Sequence, residues 1–159
     1  MLLEIPPGLS VEHVRASLEF FGSLNLRFVT ASHAHDDHLD PEVWNAMIDA
    51  YPDADYLSPD EIEADRYIEL AGEPLWLVKA PKHSRDDIVT IFRGVAMTGD
   101  IELGVLESVN REVSKKTKAA SMDHLRSFQD RTGYRINAIV SAHLNDLRKK
   151  VNWSDLFAY

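Results

Sequence analysis

The chain has 159 residues, 45% of them hydrophobic and 27% charged, the length and balance of one globular domain with one core. A net charge of −9 argues against a nucleic-acid surface, which is ordinarily basic, and no apolar run approaches the roughly 20 residues that span a bilayer. Without cysteine there is neither a disulfide framework nor a thiolate metal ligand; with no secretion-type leader at the start, the expected compartment is the cytoplasm. No repeat, low-complexity tract or linker composition divides the sequence, so residues 1–159 are expected to form a single domain.

Residues 1–5 are apolar enough for a strand, which Pro6-Pro7-Gly8 ends. Ser10 caps a helix whose apolar positions Val11, Val14, Leu18 and Phe21 fall at helical spacing, with Gly22 and Ser23 closing it. Leu26-Arg27-Phe28-Val29-Thr30 reads as a buried strand, and the segment leaving it is Ala31-Ser32-His33-Ala34-His35-Asp36-Asp37-His38-Leu39. Ligands gather at the C-terminal ends of strands in layered α/β folds. In an extended loop, His33 and His35 project to the same side because side chains alternate with period two, and two imidazoles on one side chelate a divalent ion. Asp37 and His38 follow as the chain turns into the next helix, aimed differently, as a second metal position requires. Asp40-Pro41-Glu42 then supplies an N-cap, a proline at the first helical position and an acid in the first turn.

That helix runs to about Tyr51 with Val43, Met47 and Ala50 inward, and Tyr51-Pro52 stops it. Asp55-Tyr56-Leu57 is a short strand, and Ser58-Pro59-Asp60-Glu61 opens a further helix. Residues 66–74 lead, with Gly72 and Pro74 as punctuation, to a strand Leu75-Trp76-Leu77-Val78-Lys79. Asp87 to Phe92 and Val95 to Thr98 form two strands joined at Arg93-Gly94. A long helix covers about Glu112 to Arg131, with Val113, Leu125 and Phe128 apolar, and Thr132-Gly133 ends it before a last core strand over residues 136–142. From Asn145 onward the sequence reads as a helical or irregular tail whose Trp153, Leu156 and Phe157 dock on an apolar surface. The clusters Lys115-Lys116-Thr117-Lys118 and Arg148-Lys149-Lys150 read as solvated helix faces rather than a phosphate-binding strip.

The spacing His-x-His-x-Asp-His at 33–38 resembles the signature of the metallo-β-lactamase superfamily, and the rest of that family's pattern follows in order. Pro81-Lys82-His83-Ser84 looks like its Pro-Gly-His-Thr/Ser loop, Thr98-Gly99-Asp100 like its bridging-carboxylate position, and His143 follows the last core strand. Two departures stand out: Lys82 replaces the usual glycine before His83, and Leu144 rather than glycine follows His143. The resemblance implies an αββα sandwich of the metallo-β-lactamase type, abbreviated at its N-terminus. It also implies a homo-oligomer in which a partner covers the sheet edge left by the shortened start.

Carried over by position, the resemblance implies that His33, His35 and His83 bind one metal and that Asp37, His38 and His143 bind a second, with Asp100 bridging them. Imidazole nitrogen and carboxylate oxygen suit Zn²⁺, two per chain, and also Fe or Mn. The implied activity is hydrolysis of an ester, thioester, lactone, amide or phosphodiester bond in a small-molecule substrate by metal-activated water, with Asp37 as a catalytic residue. Alternatives are a mononuclear iron enzyme of the same fold that oxidises sulfur, using the His33/His35/His83/Asp100 corner; a nuclease, which the negative charge disfavours; and a non-enzymatic domain that kept its metals. Asp36 reads as a solvated carboxylate or an outer partner of the ligands. Ser84 with Asp86 or Asp87 either orients His83 or simply turns the loop, and His13 and His124 read as surface residues.

Overall fold

The computed structural model describes residues 1–22, 25–81, 83–100, 111–142 and 151–152; nothing is described of the side chains of residues 111–118. The chain divides into two compact units, Met1–Ile62 and Glu63–Tyr159.

The first unit is built on a three-stranded parallel sheet of β1 (Leu2–Leu3), β2 (Phe28–Thr30) and β3 (Asp55–Tyr56), in that order. Parallel strands need crossovers, and the helices α1 (Val11–Phe20) and α2 (Pro41–Ala50) lie in those connections. Ser10 caps α1 by accepting the His13 amide, and His13 returns the contact by accepting the Ser10 amide at its Nδ1 (3.3 Å), so this histidine closes a capping box. Asp40 caps α2, its Oδ1 accepting the amides of Glu42 and Val43 at 2.9 and 3.0 Å, with Pro41 at the first helical position. Ile5, Val14, Leu26, Val29, Met47 and Ala54 form the core of this unit. Tyr56 donates its hydroxyl to the carbonyls of Met47 and Tyr51, and burial, reinforced by neighbouring Tyr51, pushes its phenol above the ordinary range.

The second unit is a six-stranded sheet in the order β4 (Arg66–Leu70), β5 (Glu73–Lys79), β6 (Ile88–Phe92), β7 (Val95–Met97), β8 (Ala138–Val140), β9 (Val151–Asn152), antiparallel except where β7 meets β8. The parallel pair is bridged by the long helix α3 (Arg111–Thr132), the crossover that parallel pairing demands. Met122, Leu125 and Phe128, at i, i+3 spacing on α3, pack with Val78, Val89, Ile91, Ala96 and Ile139 from the sheet. Trp76 flanks them, its ring edge-on to Phe128 at 5.3 Å and to Tyr67 at 5.1 Å. Gly94 turns β6 into β7 at φ +76°, and a Cβ there would meet Asn137 Nδ2 at 2.5 Å, so both its backbone angle and the space around it require glycine. No helix among the described residues is long and apolar enough to cross a membrane.

Several expectations change. Residues 66–70 are a strand rather than a lead-in: they pair antiparallel with β5 as the sheet's edge strand, with Glu69 opposite Pro74. The helix expected from Ser58 is a single 3₁₀ turn, Pro59–Glu61. Phe21 and Ala50, expected to face inward, are exposed, and Trp44 joins the core in place of Ala50. The tail contains β9 where helix or irregular chain was expected, while its remaining described extent ends at Asn152. Lys82, His143, Leu144 and the second basic cluster lie outside the described residues.

Candidate metal centre

In the first unit the parallel sheet points the ends of all three strands the same way, and the histidine-rich loop leaves from the middle one. The loop is a compact coil: the amides of His38 and Leu39 both donate to the His35 carbonyl, at 2.9 and 2.8 Å. This brings three imidazoles together. His33 Nε2 lies 2.9 Å from His35 Nδ1, and the rings of His33 and His38 are 4.2 Å apart. His33 is fully buried and His38 nearly so, whereas His35 and Asp37 are exposed. The Asp37 carboxylate lies 3.6 Å from His38 Nε2, and Asp36 is exposed.

Two residues without a role in the sequence reading complete this cluster. Ser32, buried beneath the rings, places its Oγ 3.0 Å from His33 Nδ1 and 3.4 Å from His38 Nδ1. Glu4, directly after β1, accepts the Ser32 amide at 3.1 Å and lies 3.2 Å from His38 Nδ1 through the same Oε2. Glu4 sits at φ +71°, a left-handed conformation that a non-glycine residue enters at a cost. The cause is a change of partner: the Glu4 amide still extends the ladder to the Thr30 carbonyl, while Ile5 pairs with the far end of the loop, to the His38 carbonyl and the Asp40 amide. The only sequence sign was an acid interrupting the apolar run Leu2-Leu3-Glu4-Ile5.

In the second unit, His83 and Asp100 leave the ends of β5 and β7, and His83 Nε2 is 3.7 Å from Asp100 Oδ2. The loop between β5 and β6 is closed by the Ala80 amide donating to the Asp87 carbonyl at 2.9 Å. Inside it the Asp87 carboxylate, 2% exposed, accepts the amides of His83 and Ser84 at 2.5 and 2.7 Å and the Ser84 hydroxyl at 2.8 Å. Asp87 therefore holds His83 by its backbone, with Asp86 sharing the Ser84 hydroxyl. Asp100 is placed by Gly99, whose carbonyl accepts the Ser141 hydroxyl and the Ala142 amide across from β8. Substituting Asp87 with alanine leaves two loop amides unmet, and a loss of about 1.5–3 kcal/mol is expected from the hydrogen bonds to its charge, read as a lower midpoint in urea. His124 is half-buried rather than on the surface.

The structure thus gathers His33, His35, Asp37 and His38 in one unit and His83 with Asp100 in the other; His143 is outside the described residues. The donor set is imidazole and carboxylate without sulfur, which suits a borderline divalent ion. The ring nitrogens of His33 and His35, 2.9 Å apart, are hydrogen-bonded to each other.

Among the described residues, the fold is mixed α/β and imidazole and carboxylate groups stand at its strand ends. The chain has the metallo-β-lactamase fold, as its similarity to solved structures shows. It superposes on an archaeal metallo-β-lactamase superfamily protein from Sulfolobus tokodaii with a TM-score of 0.52 at 15% identity, covering 78% of this chain and 64% of that one. A β-lactamase from Chitinophaga pinensis gives 0.58 at 12% identity, covering 87% and 66%. A class B3 di-zinc metallo-β-lactamase from an Alaskan soil metagenome gives 0.57 at 12%, again covering 87% and 66%. The chain thus spans a little under two thirds of the length of each of these structures. No family model matches the sequence, and no curated protein does.

Proposed function

We propose that the protein is a metal-dependent hydrolase with a binuclear, zinc-loaded site that cleaves an ester, thioester, lactone or phosphodiester bond in a small substrate. The observation that carries the reading is the packed trio of His33, His35 and His38 at the end of β2, with ring nitrogens 2.9 Å apart. In this reading His33, His35 and His83 would hold one ion and Asp37, His38 and His143 the other, with Asp100 as the further carboxylate ligand. Such ions supply water acidified to a pKa near about 7 and positive charge where an oxyanion develops.

The chain's own groups do the rest. Burial of His33 and His38 holds two imidazoles in place, which lowers the ordering cost when an ion arrives. Asp37, exposed at 63%, is the carboxylate best placed to meet solvent and substrate, and it orients the attacking water and takes its proton. The three-donor clamp of Asp87 holds the backbone of His83, so His83 approaches its ion from a rigid loop.

The reading is tested with generic ester, thioester, lactone and phosphodiester substrates on zinc-loaded protein. It predicts turnover of at least one class that is largely lost on His83→Ala, as removal of a metal ligand would require. Turnover that survives this substitution would belong to some other site and contradict the reading. Oxygen consumption on a sulfur substrate by iron-loaded protein, without hydrolysis, would replace it with a mononuclear iron oxidation.

A further inference from the structure

The rings of His33 and His38 can serve as ligands through Nε2 only if each carries its proton on Nδ1, and both Nδ1 atoms face inward onto oxygen. His38 Nδ1 lies 3.2 Å from the Glu4 carboxylate, an acceptor-only group when ionised; a proton on that nitrogen is the one arrangement that makes this contact attractive. Glu4 Oε2 also accepts the Ser32 amide, which fixes where the carboxylate sits. Ser32 Oγ, 3.0 Å from His33 Nδ1 and 3.4 Å from His38 Nδ1, is the nearer neighbour of His33, and as a hydroxyl it can accept from that ring.

We propose that Ser32 and Glu4 are positioning residues that hold His33 and His38 as Nδ1–H tautomers, leaving both Nε2 atoms as acceptors before any ion binds. The inference rests on the metal-centre reading for its purpose, not for its geometry. The backbone supports it independently. Glu4 keeps φ at +71° although glycine would hold that conformation without strain, and strain of this kind persists where the side chain is needed in one place. The Glu4 side chain is what that conformation delivers to Ser32 and His38.

One consequence reaches the third ring. With His33 protonated on Nδ1, its Nε2 is an acceptor. The 2.9 Å contact to His35 Nδ1 then requires the proton on His35, so in metal-free protein His35 is an Nδ1–H tautomer as well. His33 and His35 form a hydrogen-bonded pair whose direction is set from its buried end, by Ser32.

The experiment is nitrogen-15 NMR of the histidine side chains in metal-free protein with neutral rings, which reports the tautomer of each ring directly. Wild-type protein is expected to show Nδ1–H at His33, His35 and His38. Ser32→Ala should release His33 and with it His35 toward Nε2–H while His38 stays locked; Ser32→Thr, which keeps the hydroxyl, should restore the wild-type pattern. Glu4→Ala keeps a Cβ, and so the same backbone strain, but should release His38. Should Ser32→Ala fail to fold, Glu4→Ala and the wild-type spectrum still decide. Nε2–H at His33 and His38 in the wild type, or ratios unmoved by both alanine variants, would overturn the inference. Titration with Zn²⁺ alone then separates it from the reading it rests on: each alanine variant is expected to bind about 10–100-fold more weakly, the usual effect of losing a ligand's hydrogen-bond partner. Locked tautomers in a protein that takes up no Zn²⁺ would uphold the positioning roles and overturn the metal reading instead.

Discussion

Replacing Asp37 with alanine is expected to lower hydrolysis by about 10²–10⁴-fold while leaving thermal stability unchanged within about 0.5 kcal/mol. The two halves of this expectation have separate origins. Asp37 is 63% exposed on the loop after β2, and substitutions of exposed surface side chains ordinarily cost the folded state little. The loop itself is held by other bonds: the His35 carbonyl takes the amides of His38 and Leu39, and Ile5 pairs with both His38 and Asp40. Alanine at 37 disturbs none of these. Catalysis, under the proposed function, loses a carboxylate beside the histidine cluster that would help hold an ion and manage the proton of the attacking water. Steady-state rates and a melting curve on the same preparation check both halves. A variant that unfolds, or one that keeps full activity, would show that Asp37 is structural or idle.

The largest effect on stability is expected from Phe128→Ala, a loss of about 3–5 kcal/mol. Phe128 is fully buried at the centre of the α3 contact with the sheet and packs edge-on against Trp76. Removing the ring leaves a cavity between Met122 and Leu125 of α3 and Val89 and Ile91 of β6, positions fixed by helix and sheet that collapse only in part into the space. Against a total of about 5–15 kcal/mol for a typical domain, this is a large share. At about 2–4 °C per kcal/mol for a chain of this size, it corresponds to a melting temperature lower by about 6–20 °C. Phe20→Ala is the control: that ring is 83% exposed, and its loss should leave the melting curve nearly in place. Equal effects for the two would mean that α3 is not what holds the second unit together.

Much of this architecture is written locally. The runs 26–30, 75–79, 87–92 and 95–98 become β2, β5, β6 and β7 within two residues, because apolar stretches bounded by turn residues have few other ways to be buried. Asp40-Pro41 starts α2 by the capping and backbone preferences that the residues carry wherever they occur. The histidine spacing was legible because a strand end and a helix start bracket it. What was not legible is set at long range. β4 carries exposed Arg66, Tyr67 and Glu69, an edge strand without the alternation that would mark it. Its pairing with β5 also runs through a proline. Phe21 lies at helical spacing from Val14 and yet is exposed; α1 ends at Phe20 and Phe21 is its C-cap. Glu4 escaped notice because its partners are 28 and 34 positions away and depend on β1 pairing in parallel with β2. Periodicity carries no information about which strands become neighbours.

The central claim is that the histidine and carboxylate positions at the strand ends hold a pair of divalent ions. The measurement that tests it most directly is the metal content, by elemental mass spectrometry, of protein purified without added metal and after exchange into Zn²⁺. The account predicts two zinc equivalents per chain, reduced to one or none by His33→Ala. A chain that retains no divalent ion at micromolar zinc, or whose content is unchanged by that substitution, would contradict it.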